Sequence, residues 1–313
     1  MPTLNTSMQE KVCIVTGANS GIGKATALGL AQMGATVVMV CRDQTRGEEA
    51  QKEIKTISGN DAIDLMLADL SSQASIRQLA ENIQQHYQQL HVLINNAGVV
   101  NLKRRETSDG FETMFAVNYL APFLLTNLLL ERLKASAPAR IINVSSESHQ
   151  AGYIMLDDLQ SEQRYKYLRS YGQSKLALVL FTYELARRLQ GTGVTANCLH
   201  PGFVATNIGQ NGVGSVGRRI IKLIFSSLGI SPEEGAKTSL YLASSPEIEG
   251  VTGKYFAKSI PVRSAPISYD ETQQRQLWEE SAKFVNLSIP TPAMLQTVSD
   301  QVVPETSVHP QVW

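Results

Sequence analysis

Cysteine is scarce in this 313-residue chain: Cys13, Cys41 and Cys198 are the only three, widely spaced and without a CxxC pair. That excludes a disulfide framework and a cysteine-based zinc site. Two of the three lie in apolar runs, so buried free thiols and a reducing, intracellular setting are expected. Net charge is also lacking, because 28 Lys and Arg balance 28 Asp and Glu. No overall basic field is available to hold nucleic acid. Charged residues make up only 18%, against 43% hydrophobic, and this excludes a disordered chain. The opening MPTLNTSMQEK has no apolar core of the kind a secretory signal needs. No unbroken apolar run reaches the ~18 residues of a membrane span. The longest candidate, around Leu120–Leu130, is interrupted by Pro122, Thr126 and Asn127. A soluble cytoplasmic protein with at most peripheral membrane contact is therefore expected.

What is present is an alternation of short β-rich runs and helical patterns. Strands are expected at Val12–Thr16, Thr36–Cys41, Ala62–Ala68, Val92–Ile94, Arg140–Val144 and Val194–Leu199. Between them, helices are expected at Ile22–Met33, Thr45–Ile57, Ser75–Tyr87 and Ser170–Leu189, with one long helix or two over Gly110–Lys134. Near-continuous apolar strands separated by helices indicate a parallel sheet covered on both faces, a doubly wound α/β fold. We expect an N-terminal arm at 1–10, one domain at 11–287 and a flexible tail at 288–313 rich in proline. A helix over 270–286, capped by Asp270, ends the domain. The stretch 203–232 opens with glycines and continues as Arg218–Phe225. It reads as a flap hinged over a cleft, or as a basic apolar segment lying on a membrane.

The first strand runs into Thr16-Gly17-Ala18-Asn19-Ser20-Gly21-Ile22-Gly23 and then into a helix. A pyrophosphate needs a tight turn, unobstructed backbone and a helix N-terminus, and this order supplies all three. An acidic residue at the end of the second strand would select an unphosphorylated ribose. Here Cys41 is followed by Arg42, and a guanidinium suits a 2′-phosphate. Lys24 adds positive charge nearby, whereas Asp43 would oppose a phosphate if it turned toward the ribose. NADP(H) is the expected cofactor.

Tyr171 and Lys175 are four apart in a helical pattern and share a face. An ammonium beside a phenol stabilises the phenolate and is expected to lower the tyrosine's pKa toward use as a general acid and base. Taken alone, the pair is equally a solvated helix contact. Ser146 closes the fifth strand, at the end that faces the ligand crevice of a parallel sheet. Its neighbour Ser145 should point the other way. Asn118 is an amide inside a long helix, able to hold a water or to satisfy nearby backbone. His149 reads as a hydrogen-bonded loop histidine, since Tyr171 already fills the acid/base role.

Thr16–Gly23, Asn95-Asn96-Ala97-Gly98, Asn118, Ser146, Tyr171 with Lys175, and Pro201-Gly202 with Thr206 together resemble a short-chain dehydrogenase/reductase over about residues 10–258. Cys41-Arg42-Asp43, Asp158-Leu159-Gln160 and Gly253-Lys254-Tyr255-Phe256 are similar to its retinol dehydrogenase branch, which includes NADPH-dependent retinal reductases. The resemblance implies a Rossmann-type, seven-stranded parallel sheet in a single domain, with a pocket for a retinoid or another apolar aldehyde or ketone. By position it makes Tyr171 the proton donor, with Lys175 lowering its pKa and binding the nicotinamide ribose. Ser146 orients the carbonyl, and Asn118 anchors a water. It assigns cofactor binding to Gly17, Asn19, Ser20, Gly21, Ile22, Gly23, Arg42, Asp69, Leu70, Asn95, Ala97, Gly98, Pro201, Gly202, Val204 and Thr206, beside Tyr171 and Lys175.

Two other functions compete with a carbonyl reductase. One is a non-catalytic NADP-binding sensor or scaffold, which would have no need of Tyr171 and Lys175 together. The other is a tetrapyrrole-type reductase, supported only by the shared Tyr and Lys. The apolar runs Leu128–Leu130 and Leu176–Phe181 suit a homodimer and core burial equally.

Overall fold

The computed structural model describes residues 7–202 and 230–288. Within them, strands β1 (Val12–Thr16), β2 (Thr36–Cys41), β3 (Ile63–Leu67), β4 (Val92–Asn95), β5 (Ala139–Val144), β6 (Val194–Leu199), β7 (Tyr255–Ala257) and β8 (Ile260–Val262) form one sheet in the order 3-2-1-4-5-6-7-8. The first seven pair in parallel. The eighth runs antiparallel to β7 and corrects the expected count of seven. Only Lys258 and Ser259 link β7 to β8, at φ 51° and 62°. Two consecutive left-handed residues make the tight hairpin whose twist matches its strands. Asn-Gly or Asp-Gly would have announced that turn, and Lys-Ser does not. Pro261 sits on this edge strand, where a missing N–H leaves no ladder bond unmade.

Among the described residues seven helices flank the sheet: α1 (Gly21–Gln32), α2 (Gln44–Ser58), α3 (Gln73–His86), α4 (Thr113–Ala135), α5 (Tyr167–Arg188), α6 (Pro232–Ser244) and α7 (Glu271–Phe284). Alternate strand residues face opposite layers. Ile14, Val38, Leu93 and Ile141 pack with α3, α4, α5 and α7, while Cys13, Val15, Met39, Ile94 and Ile142 pack with α1, α2 and α6. Both faces of the strands are thus dry, as their unbroken apolar sequences require. All three cysteines are free and buried.

The stretch expected as one helix or two is a single run with a π-turn at Ala116–Leu120. Glu112 starts it by accepting from the N–H groups of Met114 (2.9 Å) and Phe115 (2.8 Å). By length and composition α4 is apolar enough to cross a membrane, but 78% of its apolar window is buried inside the fold. It is the core helix between α3 and α5. Helix α7 closes the same layer. Trp278 lies edge-on to Phe123 at 5.0 Å and 5.6 Å from Phe181, and the Arg188 guanidinium covers its ring at 4.3 Å.

The strand order reverses direction of growth between β1 and β4. Loops leaving their carboxyl ends diverge there, and the resulting crevice is where an open α/β sheet takes its ligand.

Candidate active site

The loop from β1 to α1 lies at that crevice. Gly17 and Gly21 adopt left-handed φ of 69° and 54°, which a side chain would strain. The Gly17 N–H donates to the Val40 carbonyl (2.8 Å), and this holds the loop to the end of β2. Ser20 is the N-cap of α1, yet its side chain makes no capping bond, and no acid sits in the first turn. The helix therefore presents its positive end and its orphan N–H groups with no acid in its own first turn to oppose them. Gly23 fixes how tightly helix and loop meet: a Cβ there would stand 2.3 Å from the Gly17 oxygen and 2.4 Å from Asn96 Nδ2. A backbone cradle of this kind, with a bare helix N-terminus, fits a pyrophosphate. Ile22 is buried in the α1 layer, and Asn19 and Ala18 direct backbone N–H groups at the Cys41 sulfur.

Thr16 and Asn96 brace this loop, a role their residue types alone did not disclose. The Thr16 hydroxyl accepts from the N–H groups of Asn96 (2.9 Å) and Ala97 (3.0 Å), while Asn96 Nδ2 donates to the Thr16 carbonyl (2.8 Å). The available signal was a hydroxyl ending an otherwise apolar strand.

At the end of β2, Arg42 is exposed. Asp43 is turned away from any ribose position, because its carboxylate caps α2 by accepting from Arg46 N–H at 2.9 Å. Lys24 does not contribute free charge. It pairs with Glu53 at 2.5 Å. Past β3, Asp69 Oδ1 accepts from the Ser71 N–H (2.9 Å) and hydroxyl (2.7 Å), and Leu70 packs against the α3–α4 layer. Asn95 is buried, and its Nδ2 donates to Asn143 Oδ1 (2.8 Å) and Thr126 Oγ1 (3.1 Å). Its side chain thus faces the helical layer, and only its backbone remains for the crevice. Pro201 and Gly202 follow β6, where the Gly202 N–H donates to His200 Nδ1 at 3.2 Å. Val204, Thr206 and the flap residues 203–229 lie outside the described residues.

Ser146, Tyr171, Lys175 and Asn118 converge beside Gly98. Strand alternation sends Ser145 inward, where its hydroxyl donates to the Lys175 carbonyl (2.9 Å). Ser146 faces outward, where its hydroxyl bonds that of Ser148 (3.2 Å) and lies close to the Tyr171 hydroxyl. Lys175 Nζ donates to the Val144 carbonyl (2.9 Å) and lies 5.9 Å from the Tyr171 ring centre. Asn118 Oδ1 accepts from Val99 N–H (2.7 Å), and its Nδ2 donates to the Val99 carbonyl and Ser174 Oγ, both at 3.0 Å. Ser174 in turn donates to the Tyr171 carbonyl (2.8 Å). Asn118 thereby locks the Gly98–Val99 segment to α5. A Cβ at Gly98 would come within 3.4 Å of Asn118 Oδ1 and 3.5 Å of Lys175 Nζ, so this glycine leaves room between the two.

Burial dominates the electrostatics. It pushes the Lys175 ammonium down to about 8. It raises Tyr171 above the ordinary phenol value, with the nearby Ser146 hydroxyl opposing. The expected lowering of Tyr171 by Lys175 is thus not what this arrangement yields. Removing the phenolate from water costs more than the nearby Ser146 hydroxyl returns.

His149 is structural, as its sequence position indicated. Nδ1 meets the Ser146 carbonyl at 2.7 Å, and Nε2 accepts from the Ala265 N–H at 3.1 Å. These partners assign the neutral Nδ1–H tautomer. Burial holds its pKa below the ordinary histidine value. Below pH ~6.5 the unfolded chain takes up a proton that the folded chain refuses, so stability falls as pH falls. One such proton is worth at most about 1.4 kcal/mol per pH unit. Thermal melts from pH 7 to pH 5 should show a shallower loss of Tm in His149→Gln than in the parent. Equal slopes would mean that His149 protonates freely in the fold.

Comparison with known proteins agrees with this geometry. The profile of the family described as short chain dehydrogenase matches residues 11–213. Human retinol dehydrogenase 13 is 48% identical over 285 residues, covering 90% of this chain and 86% of its own. Human retinol dehydrogenase 14 is 45% identical, covering 90% and 88%. Among solved structures, an uncharacterized protein from Mycobacterium Paratuberculosis superposes with a TM-score of 0.75 at 32% identity, covering 91% of this chain and 97% of the other. The Pseudomonas aeruginosa RhlG/NADP active-site complex superposes at 0.64 with 26% identity, covering 82% and 96%. With matches of this extent across a doubly wound fold and a Ser–Tyr–Lys site, the chain belongs to the short-chain dehydrogenase family, on the branch of the retinol dehydrogenases.

Proposed function

We propose that this oxidoreductase reduces an apolar aldehyde or ketone, retinal-like in character, to the alcohol with NADPH, and catalyses the reverse oxidation. The observation that carries this reading is the meeting of Ser146 and Tyr171 at the mouth of the crevice into which α1 points its bare N-terminus. Hydride delivery to the carbonyl carbon is the chemistry that NADPH supplies when bound.

The chain's own residues do the rest. Ser146 Oγ donates a hydrogen bond to the substrate oxygen and fixes its direction. Tyr171 gives its hydroxyl proton to that oxygen as negative charge develops there. A raised tyrosine pKa keeps the proton in place until the oxygen needs it, which suits the reductive direction. Lys175, eased toward about 8, is protonated at neutral pH and stabilises the phenolate left behind. Asn118 holds α5 and the Gly98 segment in register, so that these groups keep their spacing.

Arg42 is the residue we assign to the 2′-phosphate. Two features support the choice: the carboxylate of Asp43 is engaged in capping, and Lys24 is neutralised by Glu53. Arg42→Leu should raise the KM for NADPH about 10- to 100-fold, as expected for a lost charge-assisted hydrogen bond, and leave the KM for NADH within about twofold. A parallel loss for both cofactors would remove Arg42 from that role.

The founding experiment follows absorbance at 340 nm with all-trans-retinal, a medium-chain aldehyde and an aromatic ketone, using NADPH and NADH side by side. Turnover of retinal or the aldehyde with NADPH supports the reading. Tight NADPH binding without turnover of any of the three overturns it and favours a sensor.

A further inference from the structure

We propose that the rim of the cleft formed by residues 101–105 and 153–169 docks on an anionic phospholipid surface. Large apolar side chains stand in water there: Leu168 is 67% exposed, Tyr153 66%, Leu102 46%, Tyr167 39% and Leu156 38%. Scattered exposed apolar residues are ordinary, but five on adjoining segments form a patch.

The segments adjoin through specific contacts. The Tyr165 hydroxyl donates to the Asn101 carbonyl at 2.5 Å, and Arg104 Nε donates to the Gln160 carbonyl at 3.1 Å. Gly152 lies against the Gly172 carbonyl, where a Cβ would stand at 2.5 Å, and the Met155 N–H donates to Gln173 at 3.3 Å. Tyr153 and Leu156 are thereby held beside the first turns of α5, and Tyr167 and Leu168 begin that helix. Leu168 stands one turn ahead of Tyr171, so the patch adjoins the helix that carries the reacting hydroxyl.

The charges around it have one sign to spare. Arg104 pairs with Glu106 and Glu162 and offsets one of these two acids, so one negative charge remains against four cations on these segments. Lys103, Arg105, Arg164 and Lys166 are exposed, and among the described residues none makes an ion pair. Asp157, and Glu162 with its shared partner, are the exposed acids on these segments, fewer than the cations. Apolar side chains ringed by unpaired cations match an interface of acyl chains and anionic headgroups. A protein partner would need acids of its own set around an apolar plug, and nothing in the site requires one. The docked orientation turns the cleft toward the bilayer, where an apolar carbonyl compound dissolves. That consequence rests on the substrate reading above, whereas the docking itself does not.

The test is cosedimentation of the full chain with vesicles of phosphatidylcholine alone and with roughly 30 mol % phosphatidylserine, in low and high salt. The parent should partition onto the anionic vesicles and release as salt rises. Tyr153→Ser with Leu168→Ser, and separately Lys103→Ser with Lys166→Ser, should each weaken partitioning at least about tenfold with Tm nearly unchanged. Binding that is equal on both vesicle types, or indifferent to both double variants, overturns the proposal. So does a variant that raises the KM for a water-soluble aldehyde without vesicles, because the patch would then be a wall of the substrate pocket. Tyr171→Phe should bind vesicles as the parent does, so a chain that docks yet turns nothing over defeats the substrate reading and not this one.

Discussion

Tyr171→Phe should lower kcat for carbonyl reduction by about 100- to 10,000-fold, the usual worth of a positioned general acid. It should leave NADPH binding within about twofold, because the ring and its packing on α5 stay in place. The removed atom is the hydroxyl that faces Ser146, and without it the substrate oxygen has a hydrogen-bond donor but no proton source. Stopped-flow absorbance at 340 nm, with cofactor fluorescence for binding, separates the two quantities. A sensor or scaffold would show no change in either. A loss confined to cofactor affinity would place Tyr171 in binding and leave the acid to another group. Lys175 is the next candidate, since burial brings it to about 8.

Gly23→Ala should be nearly as damaging by a different route. The added methyl would sit 2.3 Å from the Gly17 oxygen and 2.4 Å from Asn96 Nδ2. Neither neighbour is free to retreat. Gly17 is held to Val40 through its N–H, and Asn96 is committed to Thr16. Relief requires α1 to back away from the loop, which spoils the cradle and breaks the brace together. A stability loss of about 2–4 kcal/mol is expected, with cofactor affinity down at least about 100-fold. Denaturant melts and NADPH fluorescence titration measure these. Gly59→Ala is the control: its φ is 68°, but nothing lies within 4 Å of the new methyl, so it should cost only about 1–2 kcal/mol of local strain and leave the cofactor alone. If Gly23→Ala behaves like the control, the crevice is softer than its contacts indicate.

Much of this architecture was legible before any coordinates, and particular residues show why. Strands buried on both faces carry a continuous apolar signal, so β1, β2, β4, β5 and β6 fell within a residue of their expected places. The helix holding Tyr171 begins one turn earlier than expected, at Tyr167, because exposed Leu168 and half-buried Arg169 carry no core periodicity. The β7–β8 hairpin went unseen because its turn is written Lys-Ser. Spacing brought Tyr171 and Lys175 to one face, and alternation separated Ser145 from Ser146. Two things lay beyond a linear reading. The direction of the Asn95 side chain depends on Asn143 and Thr126, which arrive from other elements. The sign of the Tyr171 shift depends on how much water the fold removes, and spacing carries no information about that.

The C-terminal helix gives the molecule a history as well as a shape. Phe123 and Phe181 are synthesised about a hundred residues or more before Trp278. At ~5–20 residues per second, roughly 5–20 seconds pass between Phe181 and its cover. Until then an aromatic seam on the nascent sheet layer is open to chaperones and to other chains. The last helix also fastens itself to an early one, with Arg77 donating to the Val285 carbonyl (2.5 Å) and Gln73 to that of Phe284 (2.9 Å). Closure of the hydrophobic layer therefore waits on the synthesis of α7. A transcript cut short before codon 271 would yield a protein with its crevice formed and its flank unsealed, ready substrate for quality control.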